Sequence, residues 1–475
     1  MSVHSGGHFV NSRFSRLKFP AAFLVLLLLP PDLALAQSPT TPMHAPPQQA
    51  SGAATAQPPN AAQDATPSDR QSLTLPQAEA IALKNNPQIT IGKLRWLVAQ
   101  QNVRETRSAL LPTAFLSLTA VDAHPGSRIS AGALNNPLVF TRAGDGATVS
   151  QLVTDFGRTT NLLSSSQYGE KAEQQNAAAT RDDIILAVDQ AFYNSLETKA
   201  LVQVAEQTVR ARQALVDKIQ ALANAKLKSD VDLSFANVDL ARAQLLLLES
   251  RVNYETAMAG LTAILGYQDE QNFLLVEEVV TPATPPQAVT PLIETALKQR
   301  PEIQALQFQV QSAEKFASAE HDLKRPTVNA LGVVGQAPIR PDALSSWYGV
   351  VGVNVNIPVF NGFLFEARAK SADLQSEVQK QRLAEIRDNI ARDVRNAWED
   401  EQRAFERLSV TKQMLQQADL ALDLSQARYN LGLASIVELT QAELQKTQAD
   451  IEDTDARYRY RVSQIVLAYN MAVPK

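Results

Sequence analysis

Residues 138 to 281 and 359 to 473 contain no proline, and the second stretch is mostly Ala, Leu, Gln, Glu, Arg and Asp at helical spacing. The run from Arg158 to Leu222 alone, about 65 residues, would span roughly 100 Å as one helix at 1.5 Å per residue. No globular core needs an element of that length, so these two stretches constrain the fold more than anything else in the chain. Late in each, apolar residues recur every seven: Val231, Val238, Leu245, Val252 and Ala259 in one, Val437, Leu444, Ile451, Tyr458 and Ile465 in the other. A seven-residue repeat held over this distance predicts helices supercoiled against neighbours. Each stretch is therefore expected to fold as a long antiparallel helical hairpin.

The second hairpin reverses within "YNLGLASIVELTQAELQ", which begins at Tyr429. Gly432 can take the left-handed backbone that ends a helix, and Ser435 can cap the next one. Glu438, three residues on, would complete a capping box. The first hairpin reverses within "AKLKSDVDL" from Ala225, where Lys226 stands at the position of Gly432. A different backbone geometry is expected there, with Ser229 or Asp230 as the cap.

The correspondence between the hairpins extends to most of the chain. "LPQAEAIALKNNPQI" from Leu75 lies over "VTPLIETALKQRPEI" from Val289, and the same offset places Pro112 over Pro326. Further on, "VDQAF" from Val188 lies over "VRNAW" from Val394, and that register carries Ser229 onto Ser435. We expect an internal duplication whose halves differ mainly in one loop. Each half runs in the same order: short helices, a proline, two strands, a long helical hairpin.

Four strand candidates alternate. In "WYGVVGVNVNIP", Val351, Val353, Val355 and Ile357 point one way and Asn354 and Asn356 the other. In "TAFLSLTA", Ala114, Leu116, Leu118 and Ala120 oppose Thr113, Ser117 and Thr119. "ATVSQLVTD" from Ala147 and "TVNALGVVG" from Thr327 alternate less strictly. Their length suits tilted membrane strands, and few outward residues are charged, which favours lipid over water as their surroundings. Four strands cannot close a barrel, so closure would require several chains.

Arg13, Arg16 and Lys18 precede the apolar run "AAFLVLLLL", followed by "ALA" at 34–36. This pattern predicts a secretory signal peptide over 1–36, its apolar run too short for a lasting anchor. Residues 37–72 are mainly Pro, Ala, Gln, Ser and Thr, a composition expected of a disordered linker. The first structural repeat is then 73–286, the second 287–471, and 472–475 a short tail. The chain has no cysteine, which excludes a disulfide framework or thiolate metal site. Its formal charge of -5 gives no reason to expect nucleic acid as a partner.

At these residues the sequence resembles the TolC-like outer-membrane efflux channel family. The likeness is carried by "LTLPQAEAIALKNNP", the "LLP" before the first strand, "DFG" and "FNG" after the strand pairs, and "YNLGLASIVELTQAE", all in duplicated order. It implies a homotrimer whose protomers each supply four strands to a twelve-stranded barrel in outer-membrane lipid, continued by a helical periplasmic tunnel. It also implies a periplasmic adaptor and an inner-membrane pump as partners. By the same resemblance, Leu431, Gly432, Leu433, Ala434 and Ser435 at the second tip, with Leu227 and Ser229 at the first, would meet the adaptor. Asp232, Tyr429 and Glu438 would constrict the tunnel entrance. The family often has a basic residue just after the tip glycine and a second acid beyond it; Ala434 and Gln441 stand there instead.

Nothing in the sequence points to catalysis. His4, His8 and His44 fall in the signal or linker, and His124 and His321 lack metal-ligand spacing. No phosphate-cradling glycine loop or nucleophile elbow occurs, and no cofactor is expected. The expected function is a passive outer-membrane duct for small molecules in tripartite efflux. The alternatives are the channel of a type I protein secretion system or a soluble periplasmic coiled-coil scaffold.

Overall fold

The computed structural model describes residues 71–124, 126, 139–269, 271–277 and 285–472. The signal segment and all but the end of the linker lie outside this set. The chain opens with β1 (Gln71–Leu73), α1 (Leu75–Asn85) and α2 (Pro87–Ser108), then β2 (Thr113–Val121) and β3 (Arg142–Thr154). The first long hairpin is α3 (Arg158–Asn224) and α4 (Asp230–Ile264). After β4 (Phe273–Leu275) come α5 (Thr290–Gln299), α6 (Pro301–His321), β5 (Thr327–Ile339) and β6 (Trp347–Asn356). The second long hairpin is α7 (Leu364–Asn430) and α8 (Ile436–Asn470). Both α3 and α7 have 67 residues, and both α4 and α8 have 35. The first strand begins inside the segment expected to be linker, because Gln71–Leu73 pairs in parallel with Phe273–Leu275.

Prolines and caps start the short helices. Pro76, Pro87, Pro291 and Pro301 occupy first-turn positions, where a missing N–H costs nothing. The Asn86 side chain accepts from the Gln88 N–H at 2.9 Å, capping α2. A core of Leu73, Ala78, Val188, Phe192, Leu261, Phe273, Leu275 and Tyr458 ties the small parallel pair to the middle of both long hairpins.

All four strand candidates are strands, in one antiparallel sheet of order β2-β3-β5-β6. The register aligns Leu116, Ala147, Val334 and Gly349 across it, and Ala114, Val149, Gly332 and Val351 in another row. These rows share one face. Rows such as Ser117, Gly146, Gly335 and Tyr348 occupy the other. Gly335 in that last row leaves no room for a side chain, since a Cβ there would lie 2.4 Å from the Asp145 carbonyl oxygen. The apolar face has no core beneath it: Val351 is 90% and Val353 68% exposed. Among the described residues neither edge strand, β2 or β6, has an outer partner. Among the described residues no helix is long and apolar enough to cross a membrane.

The heptad series behaves differently from the simplest expectation. Val231, Val238, Leu245 and Val252 are exposed, as are Val437 and Leu444, so these residues are not the seam inside the hairpins, whereas further along α8 Ile451 and Ile465 are half-buried and Tyr458 is buried in the core. The buried seven-residue rows are Ala236, Ala243 and Ser250 on α4, and Ala442, Ala449 and Ala456 on α8. Small side chains allow close helix approach inside the protomer, leaving the larger apolar stripe facing outward.

Candidate functional site

Every residue expected to act lies at the two hairpin tips. At the second tip, Gly432 has φ of 74° and the chain closes by Leu433 N–H to Arg428 O (2.8 Å) and Gly432 N–H to Tyr429 O (3.1 Å). This is a Schellman ending. The first tip uses the same one: Leu227 N–H to Leu222 O (2.8 Å) and Lys226 N–H to Ala223 O (2.9 Å), with Lys226 at φ of 60°. The expectation of a different geometry at Lys226 is therefore incorrect. A lysine occupies left-handed backbone there because the packed helices on either side fix the turn.

The caps also exchange roles. Ser229 is the N-cap of α4, accepting from Asp232 N–H at 3.2 Å, while the Asp232 carboxylate accepts from Ser229 N–H at 3.4 Å. That is a complete capping box. Ser435 caps α8 by accepting from Glu438 N–H at 3.2 Å, but the Glu438 carboxylate turns instead to Arg428 Nε at 3.1 Å. The box expected at Ser435 is half formed, because a guanidinium competes with a backbone N–H for the carboxylate.

Leu227, Leu431 and Leu433 are 70%, 75% and 67% exposed at the ends of the turns. Ser229, Gly432 and Ser435 are exposed beside them and Ala434 is half-buried. A side chain at Gly432 would meet open space. Tyr429 is instead 2% exposed, packed with Leu215, Val216 and Ile219 of α3, Ala236 of α4, and Ile436 and Leu439 of α8. The Lys228 ammonium lies 3.8 Å from its ring centroid, a cation–π contact between the tips. Lys218 adds a 2.7 Å hydrogen bond to Asn430. Among the described residues the buried Tyr429 hydroxyl has no hydrogen-bond partner, and burial, then the Asp232 charge, push its pKa up. Asp232 is half-exposed and Glu438 exposed, so of the three residues placed at the entrance only these two reach solvent.

Above the tips lies a buried ion pair that sequence reasoning missed. Arg212 of α3 and Glu443 of α8 are 2.9 Å apart, both more than nine-tenths buried. Burial pushes the Glu443 carboxyl up to about 6, with Arg212 lowering it and Asp239 of α4 raising it. The sequence does carry a signal: Arg212 sits in a buried seven-residue row between Ala205 and Ile219, and Glu443 seven after buried Ile436. A charge in such a row needs a partner across the seam. Arg428, Lys218 and Lys228 were missed for a simpler reason, being single basic residues on surfaces rich in charge.

The sequence profile of the outer membrane efflux protein family matches residues 80–267 and 292–470. The outer membrane protein TolC of Escherichia coli (strain K12) is 22% identical over 417 residues, covering 83% of this chain and 81% of its own. Among solved structures, CusC superposes with a TM-score of 0.74 at 17% identity, over 86% of this chain and 95% of that one. VceC of Vibrio cholerae superposes with a TM-score of 0.71 at 17% identity, over 84% and 95%. At these identities the structural likenesses speak to the fold.

Proposed function

Because this chain belongs to the outer membrane efflux protein family and is an outer-membrane channel component of efflux, we propose that it works as a homotrimer. The protomers, each built from duplicated halves 73–286 and 287–471, give a twelve-stranded barrel continued by a helical tunnel. One observation carries this reading: the elements at the two ends of the helix order and of the sheet order carry exposed apolar residues. Toward the sheet the helices neighbour one another in the order α2, α3, α6, α7, and toward the tips in the order α4, α3, α8, α7. One free side therefore carries β2, α2 and α4, with Leu94, Val98, Leu245 and Leu248 exposed. The other carries β6 and α7, with Val410, Met414, Leu420 and Leu424 exposed. Two unlike sides joined head to tail close a ring, and three copies of four strands leave no edge in lipid.

In this reading the face of Leu116, Val351 and Val353 meets lipid and that of Asn354 and Asn356 the lumen. Val353→Arg near the midplane should cost about 2–4 kcal/mol and lower outer-membrane trimer levels, whereas Asn354→Arg should be tolerated. Equal tolerance of the two substitutions, measured as trimer in the membrane fraction, would reject this assignment.

The exposed tips support a partner below. Leu227, Leu431 and Leu433 are largely exposed among the described residues, and with Ser229, Gly432, Ala434 and Ser435 they form the adaptor-docking surface. Asp232 and Glu438 line the aperture, and Tyr429 acts there by holding the two tips together. An inner-membrane pump supplies the work, so transport through the duct is passive, its cargo is small molecules, and no catalytic step falls to this chain. Gly432→Trp enters open space in the free chain. It should leave trimer levels near normal while abolishing adaptor cross-linking and efflux. Full transport with a tryptophan there would remove the docking role.

A further inference from the structure

The two hairpins of a protomer meet chiefly along α3 and α8, and the charges buried in that seam do not balance. Arg212 faces Glu443 at 2.9 Å and reaches the Thr447 hydroxyl at 3.4 Å. Asp239 of α4 acts on both members of the pair. Arg242 also pairs with Asp239, at 3.4 Å, but its guanidinium is largely in solvent. On α8, Lys446 is engaged by Asp419 of α7 at 3.1 Å and by Asp450. Of the two carboxylates, Glu443 alone contacts Arg212 directly, Asp239 acts on that guanidinium only through its charge, and among the described residues Glu443 Oε2 has no hydrogen-bond partner. A proton on Glu443 would remove the surplus charge and leave Arg212 to Asp239.

We propose that Arg212, Asp239 and Glu443 form a proton-operated closure of the tunnel, in which protonation of Glu443 tightens α8 against α3 above the tips. The proposal rests on the reading of the tips as the tunnel entrance. With α8 packed on α3, burial holds the Glu443 carboxyl up at about 6. When α8 swings away, water reaches it and the value returns toward the ordinary 4.5. The closed seam binds the proton more tightly, so acid favours closure. That contribution is fully present below about 4.5 and lost as the pH rises through about 6. Asp239, also pushed up by burial, acts in the same direction. So does Glu197 of α3, raised to about 7 by burial and by Asp455 of α8, with Arg459 opposing.

The test is single-channel conductance of the purified full-length protein in planar bilayers, titrated from about pH 8 to about pH 4.5. A Glu197→Gln background removes the other strongly raised carboxylate of the seam. Conductance should fall on acidification with a midpoint between about 4.5 and about 6, the window set by the open and closed seam. Glu443→Gln should hold the low-conductance form throughout and abolish that step. Arg212→Met, which leaves an ionised Glu443 without its cation, should raise neutral-pH conductance and move the midpoint upward. Glu385→Gln, at an exposed acid of α7 outside the tips and the seam, should leave the midpoint in place. An unchanged step in Glu443→Gln, or its loss in Glu385→Gln, would overturn the proposal. A protein that conducts at no pH would instead count against the channel reading itself.

Discussion

At the second tip the left-handed residue is Gly432 and at the first it is Lys226, yet both turns close with the same pair of backbone hydrogen bonds. The surroundings differ. Tip two contributes Tyr429 to the apolar cluster shared by all four long helices, where the aligned residue of tip one is Ala223. Tip one contributes cations to tip two, Lys228 over the Tyr429 ring and Lys218 to Asn430. The second tip is relaxed in its backbone and anchored by its own aromatic. The first carries a strained lysine and is held in place by its neighbour. Tertiary packing has overridden local preference at the first tip, and the second supplies that packing.

The most damaging way to break this pairing is to remove the anchor. Tyr429→Ala should cost about 3–5 kcal/mol, read as a lowered denaturant midpoint followed by helical circular dichroism. Tyr429→Phe should be near neutral, because the hydroxyl it removes is unpaired. A phenylalanine variant as unstable as the alanine one would place an unseen partner on that hydroxyl and weaken the packing argument.

Backbone strain gives a smaller effect with opposite signs at the two tips. Gly432→Ala should lose about 1–2 kcal/mol, and Lys226→Gly should gain up to about 1 kcal/mol. Loss in both would mean that the Lys226 side chain does more than tolerate its backbone. The smallest contrast lies in the caps. Ser229→Ala and Ser435→Ala should each cost about 1 kcal/mol, Ser229 more by a few tenths because only its box is reciprocal. Amide exchange in the first turns of α4 and α8 would rank them.

What the sequence made legible follows from periodicity. Strands of nine to thirteen residues expose a two-residue pattern, and three begin at Thr113, Thr327 and Trp347 as expected, whereas β3 begins at Arg142, five residues before Ala147. The long helices were equally plain: Arg158 begins α3, as expected, and α3 ends two residues beyond Leu222. Three-residue strands such as Gln71–Leu73 and Phe273–Leu275 are too short to show a period. The Val231 to Val252 series illustrates a different limit. A heptad identifies a face of a helix but not the neighbour that covers it, and here the neighbour inside the protomer takes the alanine row. The tip leucines were placed correctly at the turns, whereas Tyr429 was expected at an opening and lies in a core. Its role depends on four helices meeting, which no local pattern records.

A duct of this kind needs the exposed sides of the protomer joined between copies. The most direct measurement is the mass of the full-length protein purified from outer membrane in mild detergent. Particles of three chains that resist dilution are expected, with disruption when Leu245 and Leu248 are both replaced by arginine. A stable single chain under those conditions would rule this out.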